Sequence, residues 1–367
     1  IGGLNPLALL MQRTRPERVT RFLGNVEFDY KLPFLRDMRA VLNLGLDASQ
    51  SRIREIFSDN ALATYSLNQA DINPQTNYIF NPGLNYLENQ TSTNKTMDAY
   101  LSYNKKLNDV VTRLDLQAGY SYQDFVTDGN KEIYRYNEVD GARELYLEKP
   151  YNPNNRYYLP INLQAYFART NFDLYNKYLF TITFRADASS IFSSENRWGY
   201  FPAAGAAWKI KEESFMKNLN FVQDLKLRVG WGKTGQANIA GTVGYFPTRP
   251  LFAIGNANSQ YLPGISNTYT ALPFIEDVTW EKTTTVNLGL DFEFFKESQL
   301  SGSFDVYKRK TDDLLAVVPA APGQSTGGSE FIKNVGSIDG EGFEMNLTLK
   351  LVNTDNFSWN VGGNLSY

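Results

Sequence analysis

The 367-residue chain contains no cysteine and no histidine. The absence of cysteine excludes a disulfide framework and a thiolate metal site. The absence of histidine excludes a Ser-His-Asp triad, a Cys-His pair and zinc sites that need an imidazole ligand. An enzyme built from this sequence would depend on paired carboxylates, and no such pair stands out from the other acidic residues.

The sequence also lacks a long hydrophobic run and a strong net charge. No stretch of 18 apolar residues is present, so no transmembrane helix is predicted. The formal net charge of −3 provides no basic field and argues against nucleic-acid binding. The mean hydropathy of −0.39 is typical of a soluble protein. A lipid-facing strand, however, is only half apolar, and polar loops lower the average.

Aromatic residues and alternating segments are abundant. Tyr, Phe and Trp make up 14% of the chain. The clearest alternating segment is Thr285 to Phe294 (TVNLGLDFEF), which predicts a strand with one apolar face and one polar face. Its apolar positions are Val286, Leu288, Leu290, Phe292 and Phe294, and its polar positions are Thr285, Asn287, Gly289, Asp291 and Glu293.

Similar alternation predicts about twelve strands, at about 18–31, 36–47, 97–106, 109–123, 161–173, 177–188, 201–210, 225–234, 279–294, 299–310, 339–351 and 358–367. The connections after strands one, three, five, nine and eleven are short. The connection after strand seven is of medium length and could hold one helical turn. The connections after strands two, four, eight and ten are long, and only the connection after strand six, Ser189 to Tyr200, is fairly short on that side. Short turns at one rim and long loops at the other are typical of an outer-membrane barrel with periplasmic short turns, whereas a soluble β-sandwich has no reason to sort its loops.

The predicted fold is therefore an all-β, transmembrane antiparallel β-barrel with lipid on the apolar face and a lumen on the polar face. In this register Trp280 falls near an outer strand end, and Trp208 and Trp359 fall near inner ends. Such positions predict two aromatic girdles at the membrane interfaces. The loop of about 49 residues from Ala48 to Thr96 is too long for a simple connector and suggests a binding or lid role.

The two termini suggest that the barrel is incomplete. The chain opens on a loop-like segment, Ile1 to Pro6, and closes on an alternating segment, Asn360 to Tyr367. Twelve strands could close a barrel of their own. The interrupted ends favour the expectation that residues 1–367 form one part of a larger barrel.

Several motifs are more specific than the alternation. They are Asn5 to Leu10 (NPLALL), Tyr178 to Ser190 (YLFTITFRADASS), Asn196 to Trp208 (NRWGYFPAAGAAW), Lys211 to Lys217 (KEESFMK), Leu225 to Gly235 (LKLRVGWGKTG), Trp280 to Thr283 (WEKT), Asp305 to Leu315 (DVYKRKTDDLL) and Asn334 to Glu344 (NVGSIDGEGFE). In this order and spacing they closely resemble the barrel of the SusC/RagA-like TonB-dependent transporters. The resemblance covers essentially the whole chain. One departure is Ile191, where that family often has arginine.

The resemblance implies a barrel of about 22 strands with a plug, of which this chain supplies about twelve strands and neither the plug nor the last strands. It implies TonB-dependent import of a glycan or oligopeptide across the outer membrane of a Gram-negative bacterium. The implied partners are a SusD-like surface lipoprotein, the TonB complex acting through the plug, outer-membrane lipid, and a second transporter–lipoprotein pair. The candidate contacts for the lipoprotein are the long loops Ala48–Thr96, Phe125–Pro160, Gly235–Val278 and Asp312–Ser337.

No catalytic, cofactor or metal residue is predicted, no cofactor is expected, and the substrate-contacting residues stay unassigned. Gly232-Lys233-Thr234 resembles the end of a P-loop, but position 227 is leucine where that motif needs glycine. Asp339-Gly340-Glu341 lacks the acidic ladder of a calcium loop, and Asp312-Asp313 begins a solvated loop. Two alternatives stay open: a siderophore or cobalamin receptor of similar ancestry, and a soluble all-β binding or adhesion protein.

Glycines within the predicted strands mark bends, bulges or close packing, as at Gly289, Gly302, Gly362 and Gly363. We expect that the inward-facing Gly289 allows the plug to approach. The inside-out assignment also predicts that Leu290→Arg harms membrane assembly and that Asn287→Ala does not.

Overall fold

Antiparallel β-strands form nearly all of the regular structure in the computed structural model of this chain. The structure describes residues 6–58, 61, 65–67, 78–80, 83–139, 142–147, 155–236, 238–254, 269–271, 274–319, 330–354 and 356–367. None of the helices in these ranges combines the length and the apolar character needed to cross a membrane.

The strands are β1 Arg13–Thr14, β2 Glu17–Lys31, β3 Met38–Phe57, β4 Tyr65–Leu67, β5 Tyr78–Phe80, β6 Gly83–Lys105, β7 Val111–Val139, β8 Ala142–Leu147, β9 Arg156–Leu174, β10 Tyr178–Ser189, β11 Trp198–Lys209, β12 Val222–Gln236, β13 Phe252–Ile254, β14 Tyr269–Ala271, β15 Glu281–Phe294, β16 Leu300–Asp312, β17 Leu315–Pro319, β18 Glu330–Asn334, β19 Ser337–Asn353 and β20 Ser358–Ser366. The α-helices are α1 Pro6–Gln12 and α2 Ala240–Val243, and short 3-10 helices span Ile210–Glu212, Ser214–Met216 and Lys296–Ser298.

Among the described residues, fourteen strands pair into one antiparallel sheet in the order β1-β3-β6-β7-β9-β10-β11-β12-β15-β16-β19-β20, with β2 on β3 and β8 on β7. This pairing confirms the predicted all-β fold and every one of the twelve predicted strands. Within the described residues the sheet does not close, because no pairing joins its first strands to β20. Three separate two-stranded hairpins, β4–β5, β13–β14 and β17–β18, lie within the connections.

The sorting of connections is also confirmed. The connections after β2, β6, β9, β15 and β19 are short, and the medium connection after β11 contains two 3-10 helices. The shortest of these connections is residues 175–177 after β9, where Tyr175 and Asn176 have φ values of 54° and 58°. Positive φ at both central residues is the geometry of a type I′ turn, whose twist matches that of the flanking strands.

Two of the predicted long loops were wrong in extent. Within Ala48–Thr96, β3 continues to Phe57 and β6 begins at Gly83; within Phe125–Pro160, β7 continues to Val139 and β9 begins at Arg156. We call the parts of these four strands that lie in the predicted loops the strand extensions: residues 48–57, 83–96, 125–139 and 156–160. They escaped prediction because parts of them are polar on both faces. Glu88 to Thr96, for example, contains no apolar residue but is strand throughout.

The chain divides into two compact units. The first comprises residues 1–26, 44–96 and 123–161, and contains the strand extensions. Polar pairs across its strands hold it together. Glu55 is only 7% exposed and receives a bond from Arg13 at 2.7 Å and one from the Asn85 amide at 2.6 Å. The hydroxyl of Tyr157 donates to Glu88 at 2.7 Å.

The second unit comprises residues 27–43, 97–122 and 162–367. It contains β10 to β20 and a small buried core at the ends of β10, β11 and β15. The side chains of that core that are at most 2% exposed include Ala188, Ser189, Ile191, Phe192, Ile239, Val278 and Trp280. Ile191, the position that departs from the resemblance, is therefore a core residue.

Candidate functional site

The register of the second unit divides its sheet into two chemically different faces. Arg228 lies opposite Gly289, and Gly289 lies opposite Asp305. One position along, Leu227 lies opposite Leu290. Because directly opposed residues point to the same side of a sheet, the alternation of single strands becomes a continuous polar face and a continuous apolar face.

The apolar face is exposed in the isolated chain. Large side chains on this face are 38 to 52% exposed: Ile182, Phe184, Val229, Trp231, Val286, Leu288, Phe304 and Val306. Exposed apolar patches of this extent mark contact with a membrane or another protein. This placement agrees with the predicted lipid-facing positions of β15.

Aromatic residues border the apolar face at two levels. Towards the long loops, the Tyr166 ring stacks on Trp198 at 6.0 Å and lies 5.2 Å from Tyr120; we call these three the outer aromatic band. Towards the short turns, Tyr178 stacks on Trp208 at 6.4 Å; we call this pair the inner aromatic band.

The two bands are separated by the thickness of a membrane. Trp198 and Trp208 lie ten positions apart on β11, which is about 33 Å along a strand. With the ~35–45° tilt of membrane barrel strands, that length gives an apolar height of about 25 Å, as in outer-membrane barrels.

Trp280, which the sequence placed in an exposed girdle, is instead buried, with 2% exposure. Its ring lies 4.9 Å from Phe192 and 5.4 Å from Phe201, and its indole N–H donates to the Arg197 carbonyl at 3.0 Å. The prediction failed because Trp280 precedes the first ladder residue of β15, so the alternation of that strand does not determine its side.

The polar face carries an ion network on β12, β15 and β16. Arg228 donates to both carboxylate oxygens of Asp291 at 2.8 and 2.9 Å and to Asp305 at 3.1 Å. Lys226 adds a contact to Asp291 at 2.8 Å. The bidentate geometry orients the guanidinium across the sheet, so the network fixes the relative positions of three strands.

This network explains Gly289 differently from the sequence hypothesis. A methyl group at Gly289 would collide with Asp305 and lie 2.7 Å from the Arg228 guanidinium. The space above Gly289 is therefore filled by side chains of the sheet itself, and Gly289 is buried. An open glycine on this face is Gly230, where an added methyl meets nothing within 4 Å.

A second polar cluster joins the strand ends at the short turns. Glu213, between the two 3-10 helices, accepts bonds from Lys177 at 2.8 Å, from the Tyr178 hydroxyl at 2.8 Å and from the Trp208 indole at 3.1 Å. The Lys177 ammonium, followed by the two neutral donors, lowers the pKa of Glu213 to about 2. The KEESFMK motif thus ties the inner aromatic band to the turn.

Two other motifs from the sequence lie within or beside strands of the second unit. Gly232-Lys233-Thr234 lies inside β12, with no helix following directly, and Asp312 and Asp313 form ion pairs with Lys310 and Lys282. In the described ranges, no group of three acidic side chains is arranged to hold a metal ion. These arrangements suit a wall that contacts lipid on one side and solutes on the other.

Comparison with known proteins identifies the family to which this two-faced sheet belongs. The sequence matches the family described as TonB dependent receptor-like, beta-barrel, over residues 8–367. The chain belongs to the TonB-dependent receptor β-barrel family. This family consists of transporters and receptors rather than enzymes, and its SusC-like and RagA-like members are outer-membrane barrels.

Relatives within the TonB-dependent receptors are similar along most of the chain. The TonB-dependent receptor SusC of Bacteroides thetaiotaomicron is 36% identical over 99% of this chain and 34% of its own length. The TonB-dependent receptor P39 of Formosa agariphila is 33% identical over 73% of this chain and 25% of its own length. The chain thus spans about a third, or less, of the curated relatives it matches.

Two solved structures, a peptide importer and an outer membrane transporter, have the same fold along nearly the whole of this chain. The RagAB peptide importer in its open-open state matches with a TM-score of 0.76 at 20% identity, over 98% of this chain and 37% of the solved chain. The outer membrane transporter YddB from Escherichia coli matches with a TM-score of 0.51 at 12% identity, over 97% of this chain and 46% of the solved chain.

Sequence reasoning missed the residues that connect the strands. Arg228, Asp291 and Asp305 each lie at a polar position of an alternating segment, but only the register shows that they meet. Glu213 was part of a quoted motif without an assigned role. The sequence signal that could have found them is the presence of opposite charges on neighbouring predicted strands. This signal identifies particular residue pairs only when the pairing of the strands is known.

Proposed function

We propose that this chain forms part of the barrel wall of a TonB-dependent importer in the outer membrane of a Gram-negative bacterium. The observation that carries the proposal is the two-faced sheet, whose exposed apolar face is bordered by aromatic bands at the thickness of a membrane. Residues 1–367 would supply about twelve strands of a larger plugged barrel. The polar face would then line the lumen, with the ion network as part of its fixed frame.

The proposed activity is uptake of a glycan or oligopeptide together with a SusD-like surface lipoprotein. The family membership and the similarity to SusC support this proposal. The long loops would contact the lipoprotein, and two of them contain hairpins with exposed apolar side chains. Phe252 and Tyr269 on β13–β14 are 65% and 63% exposed, and Val317 on β17 is 59% exposed.

The β17–β18 hairpin is well placed for such a contact because side chains hold its base. The Asn334 amide accepts from the Thr279 N–H at 2.8 Å and donates to the Thr279 carbonyl at 3.0 Å. The Glu281 carboxylate accepts from the Leu315 N–H at 2.8 Å. A hairpin fixed at its base loses little conformational freedom on binding, which favours association.

The test is deletion of the full-length gene in its own bacterium, followed by growth on limiting glycan, oligopeptide or ferric siderophore. We expect slower growth on a glycan or peptide source, restored by the wild-type gene. The tagged protein should fractionate with the outer membrane and co-purify with a lipoprotein in equal amount. A growth defect confined to iron limitation, or recovery of the protein without detergent, would contradict the proposal.

Substitution of Val317 by Asp then tests the lipoprotein contact. We expect reduced co-purification of the lipoprotein with unchanged amounts of folded barrel. The matched control is Val335→Asp, which changes a less exposed residue of the same loop at 38% exposure. Unchanged co-purification in the Val317 variant would exclude this hairpin from the contact.

A further inference from the structure

A groove of about 580 Å³ lies on the apolar face at β2, β3, β6 and β7 of the second unit. Its size is within the ~300–1,000 Å³ of typical small-molecule sites. Small and large side chains alternate along it: Ala40, Ala99 and Ala118 lie among Phe28, Leu42 and Leu101. Phe28 is 57% exposed and Leu101 is 44% exposed, and no described residue covers the groove.

One end of the groove is polar and aromatic. Tyr120 lines the groove, and its hydroxyl donates to the Gln164 amide oxygen at 3.4 Å. The Tyr120 ring also contacts Tyr166 within the outer aromatic band. The groove therefore runs from the level of a membrane interface into the apolar face, which is the arrangement of a site for a molecule with one polar end and one hydrocarbon end.

We propose that this groove holds one acyl chain of an outer-membrane lipid, with the polar end of that lipid at Tyr120 and Gln164. The inference rests on the proposed membrane location, because hydrocarbon is the solvent available below the outer aromatic band. The groove is continuous with the membrane-facing surface. A concave wall contacts a chain on several sides, whereas a flat part of the face contacts it on one, so dispersion holds a chain more firmly in the groove.

The test is native mass spectrometry of the full-length transporter, extracted in mild detergent and washed to remove loosely bound lipid. We expect one lipid retained by the wild-type protein. Ala99→Phe should fill the groove and lower lipid occupancy at least tenfold. The matched control is Ala204→Phe, an exposed alanine on the apolar face of β11 outside the groove, which should retain the lipid.

Heat-modifiable migration on gels checks that each variant is folded, and Ala118→Leu is the milder second variant if Ala99→Phe does not fold. Equal lipid occupancy in the groove variants and the wild type would overturn the proposal. Loss of lipid in Ala204→Phe to the same degree would also overturn it, because the lipid would then be unspecific. If the groove variants lose a second bound copy of the protein and no lipid, the groove is a protein–protein contact and the lipid proposal is wrong.

Failure of the proposed function has a different signature. If the full-length protein is recovered outside the outer membrane, both proposals fail. If it lies in the outer membrane and the groove variants keep their lipid, only the groove proposal fails.

Discussion

The strands of the second unit and the strand extensions of the first are both hydrogen-bonded β-strands. Only the strands of the second unit, however, could be recognised as strands from the sequence. From Val286 to the end of β15 every second side chain is apolar, and the strand was predicted within two residues of its observed bounds. In β6 the nine residues from Glu88 to Thr96 are polar on both faces and were assigned to a loop. Alternation of apolar and polar residues therefore indicates that the two faces of a sheet meet different environments. It does not indicate whether the backbone forms a hydrogen-bonded strand.

The two regions also differ in what holds neighbouring strands together. In the second unit, the apolar face is suited to lipid, and a small aromatic core and the Arg228 network fix the strands. In the first unit, hydrogen bonds and ion pairs such as Arg13–Glu55 and Tyr157–Glu88 connect strands that carry few apolar side chains. Substitutions should therefore have different consequences in the two regions.

The largest effect is expected at the aromatic core. Trp280→Ala should lower the free energy of unfolding by about 3–5 kcal/mol, because the side chain is fully buried and the site cannot collapse around a cavity of that size. Urea unfolding of the full-length protein in lipid vesicles measures the change. Trp359→Ala, at a side chain that is 53% exposed, is the control and should have a much smaller effect. Equal effects would show that the buried cluster adds no stability.

Arginine substitutions compare the two regions directly. Leu290→Arg, at the central apolar position of β15, should destabilise the membrane-inserted protein by about 2–4 kcal/mol. Thr91→Arg, at an exposed position of the β6 extension, should change stability by about 0.5 kcal/mol or less. The amounts of folded protein in the outer membrane and its unfolding in urea provide the measurement. Asn287→Ala should leave assembly intact, and equal tolerance at Leu290 would reverse the assignment of the two faces.

A glycine pair tests the ion network. Gly289→Ala should cost about 1–2 kcal/mol, because the methyl group displaces a charged hydrogen-bonded pair, Arg228 and Asp305. Gly230→Ala adds the same methyl group on the neighbouring strand in open space, and should be neutral or stabilising by up to about 1 kcal/mol through reduced freedom of the unfolded chain. Matching losses in both variants would remove the network as the cause.

The smallest effect is expected at Glu213 and is visible in its pH dependence. Its pKa is lowered from 4.5 to about 2 in the folded protein, so its contribution to stability is present above pH 4.5 and is lost as the pH falls towards 2. Glu213→Gln should flatten that part of the stability–pH curve, measured by unfolding in vesicles. Gln223→Glu, at an exposed side chain near the same end of β12, is a control that adds a carboxylate without these partners. An unchanged curve in Glu213→Gln would contradict the assignment.

Particular residues show how far prediction could reach. Val286, Leu288 and Leu290 were placed on the correct face because the period of a strand is a property of the backbone alone. Trp280 was assigned to the wrong environment because it lies one residue before the first paired residue of β15. At that position the two-residue period of a strand does not determine the direction of the side chain. Gly289 was correctly placed on the polar face, but the reason for glycine there lies in Arg228 and Asp305, on two other strands.

The sequence by itself determined the all-β class, the twelve strands, the sorting of short and long connections and the division of each strand into an apolar and a polar face. These features depend on neighbours along the chain and on the presence of two different environments. Only the tertiary structure decided the strand extensions, the burial of Trp280 and Ile191, the Arg228 network and the Glu213 cluster. Each of these depends on contacts between residues far apart in the sequence, such as Arg228 and Asp305, which are 77 positions apart. Strand register is not encoded in local alternation.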